Sequence, residues 1–149
     1  YYPSKDALIF EIIHSHLEIL DKDLEEADDP GLPPEQRLQT LVMTVLDSYK
    51  GADDQHKVQL NAGPALSYDQ KSEIVAIERR IVRHVSNALR DIHPHLETPE
   101  SPLLIPMTMS LFLLLPFLSL SFPPSFPLSP SSYAKVATTL ILEGVKAVR

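Results

Sequence analysis

The stretch Tyr1-Tyr2-Pro3-Ser4-Lys5-Asp6-Ala7-Leu8 sets how the rest of the chain is read. Pro3 cannot extend a helix arriving from its N-terminal side, because its ring clashes with the preceding turn and it has no N–H. Ser4 is a good N-cap, since its hydroxyl accepts from an orphan N–H of the turn that follows. Asp6 then falls in the first turn, where the helix dipole favours negative charge. Beyond it Leu8, Ile9, Ile12, Ile13, Leu17, Leu20 and Leu24 recur at helical spacing. The pattern predicts one long amphipathic helix from Ser4 to about Glu26. The paired tyrosines read as the tail of an earlier helix.

The same punctuation continues along the chain, and it is all helical. "ADDPGLPPEQ" is a turn, with Pro33 and Pro34 at the next helix start, where proline is tolerated. Leu38, Leu41, Val42, Val45 and Tyr49 mark a second helix that ends near Lys50 and Gly51. "ADDQHKVQLNAG" reads as a short third helix, stopped by Gly63 and Pro64. Ser67 and Gln70 form a capping-box pattern. They open a helix whose apolar face is Ile74, Ile77, Ile81, Val85, Ala88, Leu89 and Ile92, stopped by Pro94. Another start lies at Ser101-Pro102. The last segment, capped by Ser132, places Val136, Ala137, Leu140, Ile141, Val145 and Val148 on one broad face. No alternating strand pattern appears, so the expectation is one all-α domain of five to six helices.

Bulk composition narrows the class. The chain has 149 residues, a net charge of −7 and no cysteine. That length supports one domain with a core. The absence of cysteine removes disulfides, thiolate metal sites and a thiol nucleophile, and fits a reducing, cytoplasmic setting. The acidic balance argues against these residues acting alone as a nucleic-acid binder. No glycine-rich phosphate loop is present. The first apolar run is broken by charge and does not read as a signal peptide.

Residues 110–132 contain only Ser, Leu, Phe and Pro, and 101–134 carry no charge. The segment 103–122 is long enough to span a bilayer. Pro106 and Pro116 interrupt it, and no Lys or Arg flanks it to set an orientation. A buried helix over roughly 110–120, followed by an exposed proline-rich connection, is the preferred reading. All four residue types can be written with codons whose first two bases are pyrimidines, which raises the alternative of a frameshift or a stand-in sequence.

"YYPSKDAL" closely resembles the junction in TetR-family transcriptional repressors, where the recognition helix ends in an aromatic pair and the next helix begins Ser-Lys-acid. The resemblance implies a division into 1–3, the tail of a DNA-binding domain whose other helices are not among these residues; 4–26, the linker helix; and 27–149, an effector-binding and dimerisation domain. It implies a TetR-like C-terminal bundle that dimerises through its last two helices. "ALSYDQKSEIVAIERRIVRHVSNAL" (65–89) and "MTMSLF" (107–112) further resemble a branch controlling fatty-acid or aromatic-acid catabolism and sensing acyl-CoA thioesters. The chain departs from that pattern at 113–132 and rejoins it at "YAKVATTLILEGVKA" (133–147).

Candidate functional residues follow, each with a plain structural alternative. The resemblance makes Lys5 a DNA-phosphate contact at a helix start, the alternative being an ordinary solvated lysine, and Tyr1 either a second contact or packing beneath the preceding helix; neither reads bases. Arg79, Arg80 and Arg83 form a positive stripe, with His84 and Arg90 nearby. The stripe either clamps the phosphates of a CoA-like ligand or ion-pairs with Glu73, Glu78 or a neighbouring helix. Tyr49, Leu60, Asn61, Met107 and Met109 come from segments that converge on the family's effector pocket, or else are ordinary core. Leu111, Leu114, Leu140, Ile141, Gly144, Val145 and Val148 are the expected dimer seam.

His14 with Glu18, His93 with His95 and Glu97, and Asp53 with Asp54 and His56 are loose clusters, without the spacing of a metal site. No nucleophile–base–acid order or carboxylate pair argues for catalysis. The expectation is therefore a ligand-responsive repressor and not an enzyme. It has no cofactor, no membrane span and no bound metal. Its partners are a second copy, operator DNA through the preceding domain, and a small hydrophobic effector. The rival classes are an all-α membrane-associated protein, from 103–122, and a small helical metalloenzyme, from the His and Glu clusters.

Overall fold

The computed structural model describes residues 2–49, 66–94 and 130–147. These residues form four α-helices and no strand: α1 (Lys5–Ala27), α2 (Pro34–Tyr49), α3 (Tyr68–Ile92) and α4 (Pro130–Ala147). The expected helices near 52–62 and 102–118, and the proline-rich connection, lie outside the described residues.

The helix starts follow from local chemistry. Ser4 Oγ accepts the Ala7 N–H at 3.0 Å and sets the first residue of α1. At the head of α3 the capping box closes both ways, Gln70 N–H to Ser67 Oγ at 3.3 Å and Ser67 N–H to Gln70 Oε1 at 2.9 Å. Pro34 is the first residue of α2, where its missing N–H costs nothing. Between α1 and α2, Gly31 N–H bonds to Asp29 Oδ1 at 2.8 Å, an Asx turn. At the far end of α3 the His93 N–H closes on Leu89 O at 2.8 Å, and Pro94 prevents continuation.

Helix α2 is the hub. It packs on α1, α3 and α4, and α1 also packs on α3. Its Leu38, Leu41, Val42 and Val45 are sealed from solvent, as are Leu20 and Leu24 of α1 and Val85, Ala88 and Leu89 of α3. These stripes are the ones the 3.6-residue periodicity marks. Side-chain pairs between α1 and α3 rise together in number, from His14–Glu73 through Glu18–Arg80 to Asp28–His84. The two helices therefore run in the same direction.

Two expectations for the last helix are corrected. It begins at Pro130, so Ser132 lies within its first turn and does not cap it. Proline suits that opening position, and its fixed φ starts the helix there. The single broad apolar face also divides. Ala134, Thr138 and Leu142 are buried, with Ala137 and Ile141 partly buried against the core, while Val136 is 50 % and Leu140 69 % exposed. The helix is apolar on two sides, and periodicity alone did not separate the side that meets α2 from the side that meets solvent.

Candidate functional site

The polar feature that ties the helices together is built on Arg37. It lies next to Leu38 on the buried side of α2 and is 6 % exposed. A guanidinium taken from water needs carboxylates at hydrogen-bond distance. Asp28, just past the end of α1, supplies both its oxygens, Arg37 Nε to Oδ1 at 2.5 Å and Nη2 to Oδ2 at 3.1 Å. Asp91 near the end of α3 takes Nη1 at 2.6 Å. Asp28 also faces His84, whose Nδ1 is 3.0 Å from Oδ2. The other ring nitrogen of His84 is 3.7 Å from Asp21 Oδ1 on α1. Asp21 in turn accepts from Arg80 Nε at 2.6 Å, and Arg80 Nη2 reaches Glu18 at 2.8 Å.

The result is one chain of groups, Glu18–Arg80–Asp21–His84–Asp28–Arg37–Asp91, crossing three helices. Burial alone would raise the pKa of Asp28; the hydrogen bonds from Arg37 and His84, with their charge, outweigh it and hold the carboxyl below its ordinary range. The Asp28 hydrogen bond likewise raises Arg37, against the opposing effect of burial. Elsewhere, burial lowers His16 and raises Glu78.

Sequence reasoning passed over Asp21, Asp28, Arg37 and Asp91. The available signal was a charged residue at an apolar register position, since Arg37 stands four residues before Leu41. Its partners are far apart in the chain and cannot be read from spacing.

The residues singled out beforehand are placed as follows. Lys5 is exposed at the first position of α1. Arg79 and Arg83 are exposed one turn apart on α3 and form no ion pair among the described residues. Arg80 faces α1 and makes the ion pairs just described, as in the neighbouring-helix alternative for this stripe. Gly144 is exposed, and a side chain there would meet nothing within 4 Å. Tyr1, Leu60, Asn61, Met107, Met109, Leu111, Leu114 and Val148, and the side chains of Tyr49 and Val145, lie outside the described residues.

His14 pairs loosely with Glu73 at 3.9 Å. Among the described residues no group of three or more His, Asp or Glu is set to hold a metal. No described helix is long and apolar enough to cross a membrane. An open trough of about 540 Å³ runs along α2, lined by Gln36, Gln39, Thr40, Met43, Thr44 and Asp47, with Ala134 of α4 opposite.

No family model matches the chain, and no curated protein matches its sequence. Solved structures do match its backbone. A TetR-family transcriptional regulator from Bordetella parapertussis superposes with a TM-score of 0.84 at 23 % identity, covering 100 % of this chain and 77 % of its own. The TetR-family transcriptional regulator PfmR from Thermus thermophilus superposes with a TM-score of 0.72 at 18 % identity, covering 95 % of this chain and 77 % of its own. From end to end, the chain has the fold of the TetR-family transcriptional regulators.

Proposed function

We propose that the chain is the effector-binding and dimerisation part of a ligand-responsive transcriptional regulator of the TetR type. The observation that carries this reading is the superposition of the entire chain on a TetR-family transcriptional regulator with a TM-score of 0.84. In this reading α1 is the linker to a DNA-binding domain, with Lys5 at its head meeting a DNA phosphate. The outer side of α4, where Val136 and Leu140 stand exposed and Gly144 leaves room for close approach, packs on a second copy. Effector and operator DNA each favour a different setting of the two α1 helices, so the two ligands oppose each other by linkage.

The effector is a small hydrophobic molecule, taken here as an acyl-CoA or aryl-CoA thioester. Arg79 and Arg83 are the arms that meet its phosphates, since Arg80 is already held by Glu18 and Asp21. Titration calorimetry with a panel of acyl-CoAs, CoA alone and free acids tests this. Saturable binding of one class of thioester, weakened at least tenfold by Arg79→Ala with Arg83→Ala, is the expected outcome. Unchanged affinity in the double variant would overturn the phosphate clamp, and no binding across the panel would overturn the thioester assignment.

A further inference from the structure

Helix α1 is held in two ways. Its apolar stripe of Ile13, Leu17, Leu20 and Leu24 supplies adhesion, which is non-directional and permits small slides and rotations. Its polar edge supplies direction. Glu18 and Asp21 on that edge, and Asp28 just beyond it, meet cations from α3 and α2. His84 stands at the centre, in the space between the two aspartates. The charged groups around it are Asp21 and Asp28 from the α1 segment, Arg80 and Arg37 bonded to those aspartates from α3 and α2, and Glu18 and Asp91 at the two ends. Its side chain is 21 % exposed, so a proton can reach it from solvent while its two aspartates, at 12 % and 15 %, are more deeply enclosed.

The geometry makes the proton on His84 consequential. A neutral imidazole has one N–H and one lone pair. With its hydrogen on Nδ1 it donates to Asp28 at 3.0 Å and turns a lone pair towards the Asp21 carboxylate, 3.7 Å from Nε2. An imidazolium donates from both nitrogens and attracts both aspartates. Proton uptake therefore replaces one attraction and one repulsion with two attractions. It also brings a third cation to a set of four carboxylates and two guanidiniums.

We propose that His84 is a proton-operated clasp on helix α1, drawing Asp21 and Asp28 together onto α3 when protonated and releasing the Asp21 end when neutral. His84 is thus a positioning residue. It acts through the two aspartates on the seat of α1, and this holds whether or not the regulatory reading above is correct. Histidine is the side chain that ordinarily changes charge between pH 5 and 8, and the clasp is tested across that range.

Amide hydrogen exchange on the full chain tests the clasp, corrected for intrinsic chemical rates and compared at about pH 5.5 and about pH 7.5. The α1 amides around Asp21 are expected to exchange about three- to fivefold more slowly at the lower pH, the size of one partly exposed ion pair. His84→Gln keeps a donor but cannot gain a proton, and it should abolish the difference. His16→Gln, which removes a histidine of α1 that is not part of this chain of groups, should preserve it. Equal pH dependence in wild type and His84→Gln, or none in wild type, overturns the proposal. Should His84→Gln not fold, Asp21→Asn gives the second reading, because it removes the carboxylate that the second N–H attracts. A full pH difference in that variant overturns the clasp as well.

Discussion

At the scale of single residues, the Arg37–Asp28 pair decides more than any isolated contact. Both side chains are nearly enclosed, at 8 % and 12 % exposure. Removing one partner of such a pair leaves the other charged, desolvated and unpaired. Arg37→Ala is therefore expected to cost about 3 kcal/mol in urea unfolding, well above a typical surface substitution. The sign of the pH dependence follows from Asp28. Its pKa is lowered in the folded state, so its stabilising contribution is complete above the ordinary aspartate range. That contribution is lost as pH falls from the ordinary range through the lowered value. Unfolding curves between about pH 5 and about pH 3 should show this loss in wild type, and Asp28→Asn should flatten it. Only the apolar register of Arg37 was legible in the sequence, and its partners were not. Arg37 and Asp91 are separated by 54 positions, and a lone Arg beside Leu38 reads as the edge of a solvated face. The Arg79, Arg80 and Arg83 stripe was legible as a stripe, but only the packed helices show that Arg80 turns towards α1 while its neighbours face solvent.

At the scale of elements, helix starts were the most readable feature, because caps are local chemistry. Ser4 and Ser67 were assigned from spacing, and both hydroxyls accept the N–H of the third helical residue. Ser67→Ala removes half of a closed capping box and is expected to cost about 1 kcal/mol, measured as a fall in thermal midpoint. Ser67→Gly, which tolerates the cap backbone, should cost only a few tenths of that unit. The apolar stripes of α1, α2 and α3 were equally readable, since each helix has one clear side. Helix α4 was not. Its start was displaced to Pro130 because serine and proline both open helices. Its apolar residues lie on two sides, and only packing on α2 assigns Ala134, Thr138 and Leu142 to the inside.

At the scale of the whole molecule, the all-α class followed from the unbroken run of caps and helical periods. The family likeness was carried by the eight residues at the start together with the helix order. The superposition on two TetR-family regulators, over 100 % and 95 % of the chain, bears out that fold. The proposed effector pocket is much less legible, because a pocket is assembled from side chains contributed by distant segments and no spacing encodes its shape. The proposed dimer seam rests on exposed apolar surface. A residue such as Leu140, 69 % exposed beside Val136 at 50 %, marks apolar surface suited to a partner. The central claim, that these residues bind a small effector and pair with a second copy, is tested most directly by native mass spectrometry of the intact protein with the acyl-CoA panel present. The account predicts a dimer carrying one thioester per protomer, and a monomer for Leu140→Glu. A monomeric wild-type chain with no adduct from any member of the panel would contradict it.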